Sequence, residues 1–210
     1  MDPLQPVNPQ EQNPPPTSDP NPEKGETKRL VRKYLFIAWD FIKIIIIAAI
    51  IVLPIRYFLF QPFIVKGDSM VPNFHSGDYL IVDEISYRLG QPHRGDVVVL
   101  KYPLDASQRF IKRIIGLPGE TVDVKDGNVI ITKDGKSMDL LEAYLPVHLT
   151  TDGNVHMVLG EDKYFVMGDN REFSYDSRRW GMLPREDIVG RAVFRIFPLQ
   201  AMSLVPVPGY

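Results

Sequence analysis

Few side chains in this sequence can break or make bonds, and their types narrow the chemistry. There is no cysteine, which removes a thiolate nucleophile, thiolate metal sites and disulfides together. The four histidines (His75, His93, His148, His156) form no His-Glu-x-x-His pair and no close cluster, so no zinc ligand set is indicated. Gly-x-Ser-x-Gly, Ser-x-x-Lys and the Gly-x-x-x-x-Gly-Lys phosphate loop are absent as well. A hydrolase built on this chain therefore draws on Ser, Asp, Glu or Lys. Two stretches concentrate such groups. Residues 66–72 read Lys-Gly-Asp-Ser-Met-Val-Pro and hold Ser69, and residues 168–178 hold Asp169, Arg171, Ser174, Asp176 and Arg178. Composition alone reads the first as a turn and the second as a solvated loop. Asp169 and Asp176 are paired carboxylates, but nothing in the sequence marks either as a proton donor.

A third stretch, residues 109–116, reads Arg-Phe-Ile-Lys-Arg-Ile-Ile-Gly. In a strand, Phe110, Lys112 and Ile114 share one face and Ile111, Arg113 and Ile115 the other. Either way a cation lies between large apolar neighbours. A lysine so placed loses its proton more easily and can accept one from a serine hydroxyl, whereas an arginine stays charged. The competing reading is a lysine whose stem lies along the sheet while its ammonium reaches water.

The elements that must position these groups are strands. From residue 63 onward the apolar residues alternate or come in short runs. Strands are expected at 63–66, 78–85, 96–102, 109–116, 121–125, 128–132, 163–167 and 188–197, separated by Gly, Pro, Asn and Asp turns. Asp126-Gly127 between Val122/Val124 and Val129/Ile131 marks a hairpin. The fold class is mainly β, a barrel-like or sandwich-like domain over 61–200 with a short tail at 201–210. Residues 1–27 contain eight prolines, five acidic side chains and one lysine, and read as a disordered tract. Residues 28–60 read as a basic flank and one transmembrane helix. Lys28, Arg29, Arg32 and Lys33 come first, and Ile44–Ile55 carries no charge. From Leu35 to Phe60 such a helix measures about 39 Å at 1.5 Å per residue, enough to cross a bilayer with Lys43 and Arg56 reaching opposite interfaces. Asp40 can pair with Lys43, and Trp39 and Tyr57 suit the two interfaces. Apolar side chains all round the helix disfavour a soluble core helix, and the position far from Met1 without an Ala-x-Ala site disfavours a cleaved leader. The basic flank puts the N-terminus in the cytoplasm and everything after residue 60 across the membrane. A net charge of −2 gives no electrostatic reason to bind nucleic acid.

Taken in order, these stretches resemble the bacterial type I signal peptidases, membrane-anchored serine proteases with a Ser/Lys dyad. The anchor is followed by Gly-Asp-Ser-Met-Val-Pro at 67–72, similar to the family's nucleophile segment. Arg-Gly-Asp-Val-Val-Val at 94–99 is similar to its internal strand, and residues 110–120 to its lysine segment. Gly-Asp-Asn-Arg at 168–171 with Ser-Tyr-Asp-Ser-Arg at 174–178 and Trp-Gly at 180–181 is similar to its final segment. The resemblance implies Ser69 as nucleophile, Lys112 as general base and Ser174 as a hydrogen-bond partner orienting the lysine. It implies an Asp176–Arg178 ion pair, with Asp169 and Arg171 in the same supporting group, and the Ser69 N–H as an oxyanion donor. Position 67, where some relatives carry a serine that adds a second donor, is glycine here. No cofactor or metal is implied.

The implied substrates are pre-proteins whose signal segment is still in the bilayer, cut after small Ala-x-Ala-like residues. Phe63, Ile64, Met70 and Val71 are candidates for shallow apolar specificity pockets. Ser69 is nine residues past Phe60, within about 30 Å of the anchor's end. The implied location is the cell membrane, or a thylakoid membrane where the source has one, close to the secretion translocon. Strand edges and the 116–120 turn are candidates for steering substrate as an added strand. Residues 133–162 match no segment of the family, and His148 and His156 read as surface or core fillers. The alternatives are a self-cleaving Ser/Lys peptidase of the repressor type and an anchored β domain that only binds.

Overall fold

The computed structural model describes residues 22–54, 60–147 and 149–209. The chain divides into two compact units, Met1–Ile51 and Val52–Tyr210. The first is dominated by helix α1, Pro22–Pro54. Proline is tolerated at a helix start, where its missing N–H would have no partner, and disrupts a helix interior. Within α1, Arg32–Val52 is long and apolar enough to cross a membrane, and none of its window is buried. Lys43 Nζ donates to Asp40 Oδ1 at 3.0 Å, the expected pairing. Two expectations are corrected. Residues 22–27, assigned to a disordered tract, are the first turns of α1, and the helix ends at Pro54 instead of continuing to Phe60, which opens a strand. Residues 1–21, Arg56, Tyr57 and His148 lie outside the described residues.

The second unit is mainly β, as expected. In chain order the strands are β1 (Phe60–Ile64), β2 (Tyr79–Asp83), β3 (Val97–Tyr102), β4 (Asp105–Gly116), β5 (Thr121–Lys125), β6 (Asn128–Lys133), β7 (Lys136–Asp139), β8 (Val155–Val158), β9 (Lys163–Met167), β10 (Leu183–Pro184), β11 (Ile188–Phe197) and β12 (Ser203–Leu204). Helices α2 (Ser86–Leu89) and α3 (Ser177–Trp180) are single turns. All pairings are antiparallel. The larger sheet runs β1-β2-β11-β3-β4-β9-β10 with β12 against β11, and the smaller runs β7-β6-β5-β8. The expected 63–66 strand lies instead at Phe60–Ile64. Strands β7, β8, β10 and β12 were not expected, and β12 falls in the segment read as a tail.

Strand β4 explains why two sheets are needed. Residues 111–116 are buried on both faces. Phe110 and Ile114 belong to a cluster with Val98, Leu100, Tyr164 and Val166. On the other face Ile111 packs with Val65, Met70, Phe74, Leu80 and Val97, and Ile115 packs with Val122, Val124, Val129 and Ile131 of the smaller sheet. A strand covered on both sides reads as a near-continuous apolar run, and the cations of that run, Lys112 and Arg113, are buried with it.

Gly116 ends β4 where the sheets meet. A Cβ there would overlap the side chains of Val122 and Leu159 and crowd Phe165. Gly116→Ala is expected to destabilise the protein by about 1–3 kcal/mol through overpacking. The measurement is the urea midpoint of the full chain, with an unchanged slope showing that the change is one of stability.

Candidate active site

Ser69 sits in the turn between β1 and β2. Its place is set by the neighbouring Met70, which is fully buried in the Val65–Phe74–Leu80–Ile111 cluster, while Ser69 itself stays half-buried. Phe74 N donates to Met70 O at 2.9 Å and Val71 N to Asp68 O at 3.2 Å, closing the turn. Lys112 comes from β4, in register with Val98 of β3. Its ammonium nitrogen is 2.7 Å from Ser69 Oγ and 3.0 Å from the Ile111 carbonyl oxygen, and lies 5.4 Å from the centre of the Phe110 ring. Lys112 is 3 % exposed. Burial lowers its pKa from 10.5 to about 8, against a smaller opposing pull from the charges of Asp176 and Asp169. The amine and the hydroxyl thus stand 2.7 Å apart, and the amine sheds its proton at a lower pH than a solvated lysine does.

The loop 168–178 closes the site. Asp176 caps the N-terminus of α3. Its Oδ1 accepts from Arg178 N and Nε at 3.2 and 2.9 Å, and its Oδ2 accepts from Arg178 NH2 at 2.9 Å and Gly168 N at 3.0 Å. The expected Asp176–Arg178 pair is therefore present, with Asp176 wholly buried. Asp169 and Arg171 are both buried but do not pair with each other in the hydrogen bonds. Asp169 takes Nε and NH2 of Arg113 at 2.8 and 2.6 Å, and Asn73 Nδ2 at 2.8 Å. Arg171 pairs with Glu142.

Some candidates lie differently from the expectation. Ser174 Oγ accepts from Gly168 N at 3.1 Å, whereas the hydrogen bonds of Lys112 go to Ser69 and Ile111. Ser174 is nonetheless beside Ser69, because a Cβ on Gly168 would fall against both Ser174 Oγ and the Ser69 carbonyl oxygen. Phe63 and Ile64 line a cleft of about 420 Å³ that also contains Ser69, residues 107–111 and Lys112. Met70 does not: its side chain faces the core, since that burial is what fixes the turn. Val71 does not line the cleft either, nor do residues 116–120, which join β4 to β5. His156 bonds Asp123 on the exposed face of the smaller sheet. Among the described residues, no three His, Asp or Glu side chains converge as metal ligands.

The reading of the sequence omitted Arg113, Asn73, Asn170, Glu142, Tyr144 and Thr151 from the site. One signal pointed to a missing carboxylate without saying which: three arginines (113, 171, 178) accompany only two carboxylates (169, 176) in these segments.

The depressed lysine has a consequence for stability. Unfolded, the amine holds its proton to about pH 10.5, and folded only to about 8, so the unfolded state binds more protons between these values and stability rises with pH across them. Lys112→Met is expected to gain up to about 3 kcal/mol over the parent at pH 7, with the gain fading as pH rises from 8 toward 10.5. Denaturant unfolding of both chains across that window checks it.

Comparison with known proteins gives this arrangement its context. A family model described as signal peptidase, peptidase S26, matches residues 38–197. Probable signal peptidase I-1 of Synechocystis sp. is 39% identical over 177 residues, covering 76% of this chain and 85% of that protein. Signal peptidase I of Bacillus amyloliquefaciens is 39% identical over 193 residues, covering 86% and 96%. A crystal structure of a signal peptidase I from Enterococcus faecalis is 29% identical, with a TM-score of 0.43, covering 50% of this chain and 98% of that one. With the family model spanning most of the chain and relatives aligned over most of their own lengths, this chain belongs to the signal peptidase I family of proteases.

Proposed function

We propose that the protein is a membrane-anchored serine endopeptidase that removes N-terminal signal peptides from exported pre-proteins, with Ser69 as nucleophile and Lys112 as general base. The observation that carries this reading is the 2.7 Å contact between Lys112 Nζ and Ser69 Oγ, made by a lysine whose burial lowers its pKa to about 8. In the neutral amine the hydrogen bond reverses, and the serine hydroxyl donates to nitrogen.

Ser69 Oγ attacks the scissile carbonyl carbon while Lys112 accepts the hydroxyl proton. The resulting oxyanion meets the Ser69 N–H, which has no acceptor among the described residues. Collapse breaks the C–N bond, the lysine proton passes to the leaving amine, and an acyl-enzyme remains. Water then attacks as Lys112 takes its proton, and the ester C–O bond breaks as that proton passes from Lys112 to Ser69 Oγ, restoring the hydroxyl and the neutral amine. Gly67 offers no hydroxyl to the oxyanion, and its own N–H donates to Ser76 Oγ at 3.3 Å.

Substrate is taken as an extended strand. Among the described residues β1 is an edge strand paired only with β2, and β4 pairs with β9 only at residues 113–116, so the stretch of β4 lining the cleft has its β9-side edge open. Phe63, Ile64, Phe110 and Ile111 supply apolar walls, suited to small side chains next to the cut bond. The unburied apolar span Arg32–Val52 supports a single anchor with its basic end in the cytoplasm, which leaves the β unit across the membrane beside the translocon.

Ser69→Ala, Lys112→Ala and Lys112→Arg are each expected to lower turnover of a fluorogenic signal-sequence peptide in detergent by about 10³-fold or more, with cooperative unfolding retained. Substantial activity in Lys112→Arg would exclude a neutral base at position 112. For the parent enzyme, kcat/KM is expected to climb as pH rises through about 8, because only the deprotonated amine accepts the serine proton. A flat profile between pH 6 and 9 would contradict that role.

A further inference from the structure

The dyad and the loop that closes over it come from three separate chain segments: the Ser69 turn, strand β4 and residues 168–178. One short stretch, Glu142-Ala143-Tyr144, touches all three, and it lies in the 133–162 region in which the sequence reading placed no site residue. The Tyr144 carbonyl accepts from Asn73 Nδ2 at 3.1 Å, four residues beyond the nucleophile. The Tyr144 ring lies 4.1 Å from the guanidinium carbon of Arg113, the neighbour of Lys112. The Tyr144 hydroxyl donates to Glu142 Oε1 at 2.6 Å and accepts from Arg171 NH2 at 3.1 Å. Glu142 grips Arg171 with both oxygens, Oε2 accepting from NH1 at 2.6 Å and Oε1 from NH2. Arg171 Nε in turn donates to the Gly168 carbonyl at 3.1 Å, and two residues on Asn170 N donates to the Ser69 carbonyl at 3.0 Å.

The stretch is itself fastened to the smaller sheet at two points. Leu140 is buried in the core and its N–H donates to Val129 O at 2.8 Å. Thr151 N donates to Gly127 O at 3.1 Å, and its hydroxyl accepts from Arg171 NH1. The Arg171 side chain is 1 % exposed. Without Glu142 a buried guanidinium would lack its carboxylate, and Asp169, already held by Arg113, is the next anion within its field.

We propose that Glu142 and Tyr144 form a strap, fastened to the smaller sheet, that positions Ser69 against Lys112, with Glu142 acting through Arg171 and Gly168. Glu142 touches neither dyad member and is a positioning residue. This inference rests on the Ser69/Lys112 reading above.

The test uses the full chain in detergent with a fluorogenic signal-sequence peptide, and compares Glu142→Gln, Glu142→Ala, Arg171→Met and the double variant Glu142→Ala/Arg171→Met. Glu142→Ala is expected to lower kcat on the order of 10- to 100-fold at unchanged KM, while thermal unfolding stays cooperative above the assay temperature. Glu142→Gln, which keeps an oxygen for Arg171, is expected to lose less. The double variant is expected to be no slower than Arg171→Met alone, because the two residues act in series. Unaltered kcat in Glu142→Gln and Glu142→Ala, or losses that multiply in the double variant, would overturn the strap. Should Glu142→Ala fail to fold, Glu142→Gln decides: reduced kcat at unchanged KM supports the strap, and parental kcat overturns it. Ser69→Ala run alongside separates the two proposals. An inactive Ser69→Ala with fully active Glu142 variants sinks the strap alone, whereas an active Ser69→Ala sinks the dyad.

Discussion

A buried ammonium with no carboxylate in contact is the constraint around which this site is built. Lys112 is out of water, and its hydrogen bonds go only to a hydroxyl and a carbonyl. Its neighbours on the chain and in the loop are treated in the opposite way. Arg113 and Arg171 are also buried and Arg178 is partly buried, and each has its own carboxylate in Asp169, Glu142 and Asp176. The contrast is functional. Asp169 and Asp176 are close enough that their charges raise the lysine pKa, yet weaker in effect than its desolvation. Both carboxylates are saturated by guanidinium and amide donors, so neither turns toward the lysine as a direct counter-ion. Pairing these three guanidinium groups while leaving the lysine without a carboxylate makes the lysine the easier one to deprotonate.

This arrangement requires a strand with no wet face. In an antiparallel sheet with one solvated side, Lys112 or Arg113 would project into water and titrate normally. Here Phe110 and Ile114 flank Lys112 within one core cluster, and the other face of β4 is covered by two more. The same clusters hold Ser69 in place: Met70 and Ile111 pack together, so burying one residue from each segment brings Ser69 and Lys112 side by side. The hydrophobic effect thus does the coarse positioning, and the charged pairs refine it.

How much of this could be read from the sequence follows from where each signal resides. Alternation and turn chemistry located β5, β6, β9 and β11 nearly to the residue, because local pattern and tertiary burial agree there. β1 was misplaced toward the Lys66-Gly67 turn, since Pro62 argues against a strand interior and is admitted only because β1 is an edge. β7 was invisible because all four of its residues are exposed and have no apolar rhythm. Lys112 was legible because a lysine amid isoleucines is unusual in itself, whereas Ser69 lies in a stretch that composition reads as an ordinary turn and was singled out only by the order of the family-like segments along the chain. Met70 was taken for a pocket residue on proximity alone; its role is to be the buried partner that lets its neighbour stay exposed. Glu142 and Tyr144 could not be found locally. Their significance is that they meet Arg171 and Arg113, which are 29 and 31 positions away in the sequence.

The geometry of the loop also bears on how a serine preceded by Gly67 could stabilise an oxyanion. In a planar trans peptide the carbonyl and the N–H point in opposite directions, so fixing one aims the other. The Asp68 carbonyl shares its peptide plane with the Ser69 N–H. That carbonyl accepts from Asn170 Nδ2 at 2.9 Å and from Val71 N at 3.2 Å, while the carbonyl of the next plane, Ser69 O, accepts from Asn170 N at 3.0 Å. Asn170 therefore clamps both peptide planes around the nucleophile, one with its side chain and one with its backbone. Such a clamp requires the loop to pass at van der Waals distance from Ser69, which explains the residue type at 168: a Cβ there would collide with the Ser69 carbonyl and with Ser174. Glycine at that position is a matter of space, with an ordinary backbone conformation, since 168 is not among the positive-φ glycines. On the proposed mechanism, a donor held rigid in this way costs no reorganisation as charge develops. Rigidity in the Ser69 N–H is thereby a counterpart to the hydroxyl that position 67 lacks.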